Sequence, residues 1–472
     1  MNGPTEQPVP PSLPGKLGRT QSICPRCRRL LDAELVIRDG KVVLSRRCPD
    51  HGGFEAVVYG DAERYLEIQC FSRPGESPRQ RQTEVVRGCP HDCGICPEHA
   101  QHTCLGVIEV NTACNLDCPI CFAESGTGAN GHGYSLTLEE AEAMLDAFVA
   151  AEGEPESVQL SGGEPSIHPR ILEMLAAARA RGIPLVMLNT NGIRLARDPD
   201  FAPALAVLGV HVYLQFDGFD EATQMAIRGK PLTAEKLRAL DRCAEAGVSV
   251  SLAAAIERDL NEHEVGRIIR FGTEHPAVTG VFFQPVTHSG RYLVESDPLD
   301  KLTNSDVIEA IARQLPAWFR PEDFVPVPCC SPSCRSATFA LYDGRDLIPL
   351  PRLVDVEHYL DKVTNRAVPD LDVREALEGL WSAKAAGGSG PVAERLGCVA
   401  CARAIPAELR EVAARGFMIV VQDFQDPYTL DVEKLRKCCV SEITPDGRLI
   451  PFCAYNSVGY REQVREWRAS LT

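Results

Sequence analysis

Short apolar runs alternate with amphipathic stretches through the middle of the chain. The runs are bounded by turn residues, as buried parallel strands are, and they cover residues 106–110, 158–160, 185–188, 212–216, 248–255 and 281–283. Segments rich in Ala, Glu and Leu, with helical periodicity, lie between them at residues 138–151, 171–180, 234–246 and 262–271. Strands that alternate with helices predict an α/β fold with a parallel sheet. Six units are fewer than the eight of a closed barrel, so we predict a partial (β/α)6 barrel over residues 106–300.

The pattern differs on either side of this barrel. Residues 33–37 and 41–45 flank Arg38-Asp39-Gly40, which predicts a hairpin. After residue 300 a helix is predicted at residues 304–315 and a second hairpin around Pro445-Asp446-Gly447. The predicted organisation is a disordered tail (1–20), a metal-knuckle domain (21–72), an auxiliary cluster segment (73–105), the barrel (106–300) and a C-terminal iron–sulfur domain (301–472).

Composition narrows the function. The 472 residues are 44% hydrophobic and 24% charged, which is typical of a globular protein of several domains. The net charge of −16 disfavours nucleic acid as a partner, because phosphate contacts need Lys and Arg. No apolar run is long enough for a transmembrane helix, and residues 1–20 lack the apolar core of a signal peptide. We therefore expect a cytoplasmic protein, in peripheral contact with a membrane if it takes a lipid from there.

The chain contains 20 cysteines, most of them in groups. Disulfides are a poor explanation in a chain without an export signal, so metal ligation or redox chemistry is predicted. The sharpest group is Cys114, Cys118 and Cys121, which follows the first predicted barrel strand. Three thiolates on one loop can hold three irons of a cubane, whereas iron–sulfur clusters usually take four cysteines. The remaining iron would be open to a ligand or a distant fourth residue.

The second predicted strand ends in Ser161 followed by Gly162, Gly163, Glu164 and Pro165. Two glycines allow a ligand to approach the backbone closely, and a neighbouring carboxylate can pair with an amino group. Three amides, Asn189, Gln215 and Gln284, stand where later strands end, at the edge where such folds bind ligands. Each of these residues could instead cap a helix or a turn.

Two CxxC-like knuckles with a hairpin between them predict one tetrahedral metal site near the N-terminus. Its ligands would be Cys24, Cys27, Cys48 and His51, with Cys70 as a substitute for His51. Zinc and mononuclear iron both fit this ligand set.

Two further groups predict auxiliary clusters. Cys89, Cys93 and Cys96 repeat the CxxxCxxC spacing and need a fourth ligand, for which Cys438 is a candidate. Another cluster would use either Cys329 or Cys330, together with Cys334, Cys439 and Cys453. Neighbouring side chains diverge, so one cysteine of each adjacent pair is expected to be spare or to serve a different cluster.

The Cys114–Cys121 and Gly162–Pro165 motifs together resemble the radical S-adenosylmethionine superfamily, over about residues 106–290. The resemblance implies a [4Fe–4S] cluster whose open iron binds the amino and carboxylate groups of S-adenosylmethionine. It also implies that Gly162–Pro165 hold the methionine amino group. One position departs from the pattern: Ile120 replaces the usual aromatic residue before the third cysteine, and Phe122 follows that cysteine.

The layout of the whole chain, over roughly residues 20–465, resembles a narrower family. This family contains the archaeal tetraether lipid synthase and related proteins proposed as pterin methylases. The resemblance implies two to three [4Fe–4S] clusters, a mononuclear iron of rubredoxin type and a 5′-deoxyadenosyl radical. We expect hydrogen abstraction from an unactivated carbon, for C–C bond formation on a lipid chain. The alternative substrate is a pterin or similar small molecule, which would undergo radical C-methylation.

A low-potential donor such as ferredoxin or flavodoxin is the expected electron partner. No side chain is assigned as a catalytic acid or base. A non-enzymatic electron carrier or sensor would explain the cysteines but would leave Gly162–Pro165 without a role.

Overall fold

The computed structural model describes residues 15–126, 133–292, 296–328, 330–342, 346–352 and 416–470. Four antiparallel strands form an N-terminal sheet in chain order: β1 (Lys16–Ile23), β2 (Leu30–Arg38), β3 (Lys41–Cys48) and β4 (Gly52–Tyr59). The predicted hairpin is the β2–β3 pair, with Arg38 opposite Lys41. The predicted tail over residues 1–20 extends too far, because β1 begins at Lys16 and pairs with β2.

Six parallel strands form the centre of a second sheet, and they confirm the predicted partial barrel. They are β5 (Leu105–Asn111), β6 (Ser157–Gly162), β7 (Leu185–Thr190), β8 (His211–Gln215), β9 (Val250–Ile256) and β10 (Val278–Pro285). Each pairs with the next in chain order. Their carboxyl ends therefore meet at one edge, as the strand–helix alternation predicts.

The C-terminal strands extend this same sheet at both edges. They are β11 (Val325–Pro326), β12 (Arg335–Tyr342), β13 (Leu347–Pro349), β14 (Gly416–Gln422), β15 (Val440–Ile443) and β16 (Leu449–Pro451). β14 lies parallel to β10 at one edge, and β15 lies parallel to β5 at the other. Residues 416–451 therefore contribute to both sides of the partial barrel.

Twelve α-helices lie within the described ranges of the chain. They are α1 (Ala62–Glu67), α2 (Leu138–Glu152), α3 (Ile171–Ala180), α4 (Ile193–Arg197), α5 (Phe201–Leu208), α6 (Glu221–Arg228), α7 (Thr233–Ala246), α8 (Val265–Glu274), α9 (Asn304–Gln314), α10 (Val432–Arg436), α11 (Phe452–Ser457) and α12 (Tyr460–Ala469). Capping side chains define where a helix begins. Thr137 and Glu140, for example, form a capping box at the start of α2.

The main apolar core fills the space between the helices and the parallel strands. Phe148 of α2, Leu240 of α7 and Ile268 of α8 belong to it, together with Leu160 and Val212 of the sheet. Within the ranges described, no helix combines the length and the apolar character needed to cross a bilayer. The other face of the sheet bounds a central cavity, which side chains from all six parallel strands line.

Candidate functional site

The loop after β5 carries Cys114, Cys118 and Cys121 into the central cavity. The backbones of Cys121 and Arg291 pair in both directions, with N–O distances of 2.8 and 3.0 Å. The Arg291 guanidinium also donates to the Cys118 carbonyl oxygen at 3.1 Å. Among the described cysteines, only these three line the cavity. The loop therefore offers three thiols to a cluster, which agrees with the predicted open iron.

The thiols of this loop are buried. Burial raises the pKa of Cys114 to about 12, and it also raises the pKa of Cys118. Because the thiolate is the metal ligand, cluster binding has to displace these protons. The chemistry of the donor set thus fits iron, which deprotonates coordinating thiols outright.

Gly162 and Gly163 lie against the start of the cysteine loop. The Gly163 N–H donates to the Asn111 carbonyl oxygen at 2.7 Å, and the Glu164 N–H donates to that of Ala113 at 2.8 Å. A Cβ at Gly163 would come within 2.1 Å of the Ala113 oxygen. Both glycines also line the cavity. They therefore set how close the loop sits to β6, in addition to leaving room for a ligand.

The side chain of Glu164 joins two strand ends. Its carboxylate accepts from the Thr190 hydroxyl and the Asn191 N–H, both at 2.7 Å, and from the Ser166 N–H at 3.0 Å. Neither Glu164 nor Pro165 is among the described residues that line the cavity. Burial raises the pKa of Glu164. The carboxylate thus fastens the end of β6 to the end of β7, and a contact of Gly162–Pro165 with the methionine amino group stays a prediction.

The three predicted amides all line the cavity. Asn189 donates to Ser161 Oγ at 3.0 Å, and its own Oδ1 is buried without a hydrogen-bond partner in the described residues. Gln284 donates to the Tyr213 hydroxyl at 2.9 Å. The backbone carbonyl oxygen of Gln215 accepts from the Lys236 ammonium group. These positions are the polar groups that strand ends present to a ligand.

An ion pair beside the cysteine loop was missed by the sequence reasoning. Arg228, in the last turn of α6, makes two 2.7 Å hydrogen bonds to the buried carboxylate of Asp217. Burial opposes ionisation of Asp217, but Arg228 holds its pKa below the usual value. Arg228 also lies near Cys118, whose pKa its charge lowers against the effect of burial, and it lines the cavity. No spacing rule joins residues 118, 217 and 228, since α6 brings them together.

A second missed group lies on the cavity wall by β5. Glu109 accepts from Arg461 at 2.6 Å and from the Tyr455 hydroxyl at 3.1 Å. Burial acts to raise the pKa of Glu109, but the charges of Arg461 and Arg465 hold it below its ordinary value. The neighbouring Glu442 accepts only from the Glu109 N–H, at 3.0 Å, among the hydrogen bonds of the described residues. The site thus contains one buried carboxylate that is bonded to an arginine, Glu109, and one buried carboxyl that accepts a single backbone hydrogen bond, Glu442.

Aromatic side chains lie close to Ile120, which replaces the aromatic residue that is usual before the third cysteine. Ile120 and Phe122 both line the cavity. The Phe122 ring lies 5.6 Å from that of Phe452, which lies 4.8 Å from that of Phe424. Phe122 is 38% exposed, so it has surface available for a planar ligand.

The structure brings together the four predicted N-terminal ligands. The ligand atoms of Cys24, Cys27, Cys48 and His51 all lie within 4.8 Å of one another. His51 Nδ1 is 3.6 Å from the Cys24 sulfur and 3.5 Å from that of Cys48. These separations fit four ligands around one tetrahedral ion. Cys70, the substitute considered for His51, is exposed in the 3₁₀ turn Ile68–Phe71 and is not part of this group.

Cys89, Cys93 and Cys96 lie together, largely buried, on the segment before β5. Hydrogen bonding to Cys93, stronger than the opposing effect of burial, lowers the pKa of Cys89. The Cys93 N–H donates to the Tyr460 hydroxyl at 2.9 Å. Three thiols in one place fit a cluster that takes a further ligand.

Cys438 lies close to other C-terminal cysteines. Hydrogen bonding to Cys453 is the largest cause that raises the pKa of Cys438, followed by burial and by the nearby Cys439 and Cys334. Cys334 and Cys438 both pack against the core cluster that contains Cys330 and Cys439. A role of Cys438 as the fourth ligand of the Cys89, Cys93 and Cys96 group stays a prediction. Cys329 lies outside the described residues.

Comparisons with known proteins agree with this geometry. A model described as the Radical SAM superfamily matches residues 108–272. A model described as the HMPTM N-terminal zinc ribbon domain matches residues 16–60. The chain is thus a radical S-adenosylmethionine enzyme, whose cofactors include a [4Fe–4S] cluster and S-adenosylmethionine.

One relative covers almost the whole chain. The 7,8-dihydro-6-hydroxymethylpterin dimethyltransferase of Methanocaldococcus jannaschii is 31% identical over 95% of this chain and 95% of its own. The chain belongs to the family of this dimethyltransferase. A probable GTP 3′,8-cyclase of Thermoplasma volcanium is 28% identical over 43% of this chain and 62% of its own. The crystal structure of Streptococcus suis SuiB bound to precursor peptide SuiA superposes with a TM-score of 0.38 at 14% identity, over 46% of this chain and 47% of that one.

Proposed function

We propose that this protein is a radical methylase of a reduced pterin, similar in substrate to its methanogen relative. The observation that carries the proposal is the 31% identity over 95% of both chains. This identity favours a pterin, the alternative substrate, over a lipid chain. The cavity wall also carries Glu442, whose buried Oε2 has no hydrogen-bond partner among the described residues, and an alkyl chain has no group to offer it.

Cys114, Cys118 and Cys121 would hold the catalytic cluster. A [4Fe–4S] cluster with an open iron would supply one electron for the cleavage of S-adenosylmethionine to methionine, and a substrate hydrogen atom would leave in 5′-deoxyadenosine. Replacing that C–H bond by a C–CH₃ bond would then take a methyl group and a second electron; with a second S-adenosylmethionine as the methyl donor, S-adenosylhomocysteine would leave. A low-potential donor of the ferredoxin or flavodoxin class would provide both electrons.

The protein's own residues orient the reactants and keep out water. Gly162 and Gly163 leave backbone space beside the cysteine loop, and Asn189, Gln215 and Gln284 offer polar atoms along the same edge. Phe424 and Phe452, which follow β14 and β16, add apolar wall from the C-terminal region. Such a wall protects a carbon radical from side reactions.

The remaining cysteines would hold the other metals. Cys24, Cys27, Cys48 and His51 would bind one zinc or iron ion, and the three-cysteine, one-histidine set is common at structural zinc sites. Cys89, Cys93 and Cys96 would hold one auxiliary cluster. Four members of the C-terminal group Cys330, Cys334, Cys438, Cys439 and Cys453 would hold another, which makes three clusters in all.

The test uses the full chain, reconstituted anaerobically with iron and sulfide. It is incubated with 7,8-dihydro-6-hydroxymethylpterin, dithionite and S-adenosylmethionine whose methyl group is deuterated. We expect 5′-deoxyadenosine and a pterin that has gained one or two methyl groups, and the label shows whether S-adenosylmethionine donates them. An ether lipid with unactivated methyl ends replaces the pterin in a parallel reaction.

The Cys114/Cys118/Cys121→Ala variant should form neither product, whereas Cys70→Ser, at an exposed cysteine outside the metal groups, should behave as the wild type. Cleavage of S-adenosylmethionine with modification of the lipid and none of the pterin would overturn the proposal.

A further inference from the structure

Glu442 is a buried carboxyl that faces the central cavity without a full set of partners. It lies in β15, beside β5, and is 1% exposed. Its Oε1 accepts from the Glu109 N–H at 3.0 Å. Its Oε2 is buried and has no hydrogen-bond partner among the described residues. Buried polar atoms are nearly always paired, so an exception on a cavity wall indicates a missing ligand.

The charges around Glu442 do not supply that partner. Glu109, on β5, is the neighbouring carboxylate, and it repels a charge on Glu442. Arg461, on α12, lies near both, but its hydrogen bonds go to Glu109 and to the Phe122 carbonyl oxygen. The Tyr455 hydroxyl is likewise donated to Glu109. The protein has therefore satisfied one carboxylate and left the other for something that enters the cavity.

The surroundings of Glu442 fit a flat, polar ring. β16 pairs with β15, and α11 begins directly after β16 with Phe452. Phe452 and its neighbours Phe122 and Phe424 line the same cavity, with ring centroids 5.6 and 4.8 Å from that of Phe452. Asn456 of α11 adds a second buried acceptor, because its Oδ1 has no partner in the described part of the chain. Aromatic faces with acceptors at the edge suit a heteroaromatic ring that carries N–H groups.

We propose that Glu442 binds the N–H edge of the 2-amino-4-oxopyrimidine ring of the substrate. This inference rests on the proposed function, because a pterin carries such a ring. The ring N3–H and the 2-amino group point the same way, and a carboxylate accepts two parallel N–H bonds with good geometry. Glu442 Oε1 can accept a second bond beside that of Glu109, since a carboxylate has about four lone-pair sites. The contact would fix the orientation of the ring, and hence which carbon faces the radical.

The test measures binding, not turnover. The full chain, with iron and sulfide restored, is titrated by calorimetry in the presence of S-adenosylmethionine and without reductant. The two probes are 7,8-dihydro-6-hydroxymethylpterin and its analogue without the 2-amino group. The variants are Glu442→Gln and, as a matched control, Glu433→Gln at an exposed carboxylate of α10.

We expect the wild type to prefer the 2-amino compound by about 100-fold, because the analogue leaves a buried carboxylate unpaired. Glu442→Gln should lose at least about ten-fold in affinity for the 2-amino compound and little for the analogue, so its preference should fall. Glu433→Gln should keep the wild-type preference. A preference that survives in Glu442→Gln, or an equal loss for both compounds, would overturn the assignment.

Two further measurements distinguish a defect in metal loading, a wrong proposed function and a wrong role for Glu442. If Glu442→Gln retains less iron than the wild type, Glu442→Asp decides, because it keeps a carboxylate and should keep the preference. If the wild type binds S-adenosylmethionine but neither pterin compound, the proposed function fails and the inference with it. If the wild type methylates the pterin while Glu442→Gln retains the preference, only the role of Glu442 is wrong.

Discussion

Two neighbouring carboxyls, Glu109 and Glu442, have opposite pKa shifts. Arg461 and Arg465 keep Glu109 ionised in spite of its burial. Burial and the charge of Glu109 raise the pKa of Glu442 well above its usual value. The difference follows from the partners, since both side chains are fully enclosed. A pair separated in this way is typical of functional sites.

The raised pKa of Glu442 predicts a pH-dependent cost in stability. The folded protein holds the proton of the Glu442 carboxyl more tightly than the unfolded chain does. This difference stabilises the folded state fully below the unfolded pKa of about 4.3. The stabilisation is lost as the pH rises through the pKa of Glu442 in the folded protein. The Glu442→Gln side chain cannot ionise. The free energy of unfolding of this variant should therefore rise relative to that of the wild type as the pH increases, by about 1–2 kcal/mol at the alkaline end.

Urea unfolding at several pH values, with metal content held constant, measures this difference. Glu433→Gln should show no such trend. A difference between Glu442→Gln and the wild type that is the same at every pH would contradict the prediction.

The Arg228–Asp217 pair should be strongly coupled. Arg228→Met leaves the buried Asp217 charge without its partner and should cost about 3–5 kcal/mol. Adding Asp217→Asn removes that charge, so the double variant should be more stable than the sum of the two single effects predicts. The free energies of unfolding of the four proteins in urea, at equal metal content, give the coupling. Additive effects would mean that the two side chains act independently.

The spacing of cysteines along the chain predicted which of them lie together, but it did not predict the charged residues around them. Cys114, Cys118 and Cys121 share one loop, so their spacing is sufficient to bring them together. Arg228 and Glu442 reach the same cavity from distant segments, and no local pattern distinguishes them from other surface or core charges. No local pattern indicated that Glu164 would join β6 to β7, because two of its donors, Thr190 and Asn191, come from the end of the next strand.

At the level of elements, strand ends and loops are fitted to each other around the cysteine loop. The end of β6 contacts the backbone of residues 111–113 through Gly162 and Gly163. The strand β15 brings Glu442 beside Glu109 of β5. The geometry of the site therefore depends on contacts between backbones as much as on its side chains.

Gly163→Ala should displace the cysteine loop. The added Cβ would meet the Ala113 carbonyl oxygen at 2.1 Å, and a backbone oxygen cannot move away without the loop. We expect the loss of about one cluster, or roughly four irons, while the N-terminal metal is retained. Iron, zinc and sulfide analysis with Mössbauer spectroscopy measures this.

Gly53→Ala is the matched control, because nothing lies within 4 Å of its added Cβ. Wild-type iron content in Gly163→Ala would show that the loop tolerates the shift.

For the whole molecule, the C-terminal region extends the sheet of the partial barrel at both edges. It adds β14 beside β10 and β15 beside β5, and it gathers cysteines from residues 330–334, 438–439 and 453 into one group. The arrangement places this group of cysteines next to the sheet that carries the loop of Cys114, Cys118 and Cys121.

The grouping of Cys438 with Cys453 predicts non-additive iron loss. Cys453→Ser and the Cys438/Cys453→Ser double variant should each lack the same single cluster, about four irons. If Cys438 instead served the Cys89 group, the double variant would lose about eight. Iron and sulfide counts on anaerobically reconstituted protein distinguish these outcomes, with Cys70→Ser as the exposed control.

The sequence by itself determined the six βα units, the three-cysteine loop and the N-terminal group of Cys24, Cys27, Cys48 and His51. These features depend on spacing within short segments, where local geometry leaves few alternatives. Only the tertiary structure decided that Cys438 lies near Cys453, that Arg228 lies near Cys118, and that Glu442 Oε2 has no partner among the described residues. The physical reason is that strand order and helix packing bring distant residues together, and no periodicity along the chain encodes those contacts.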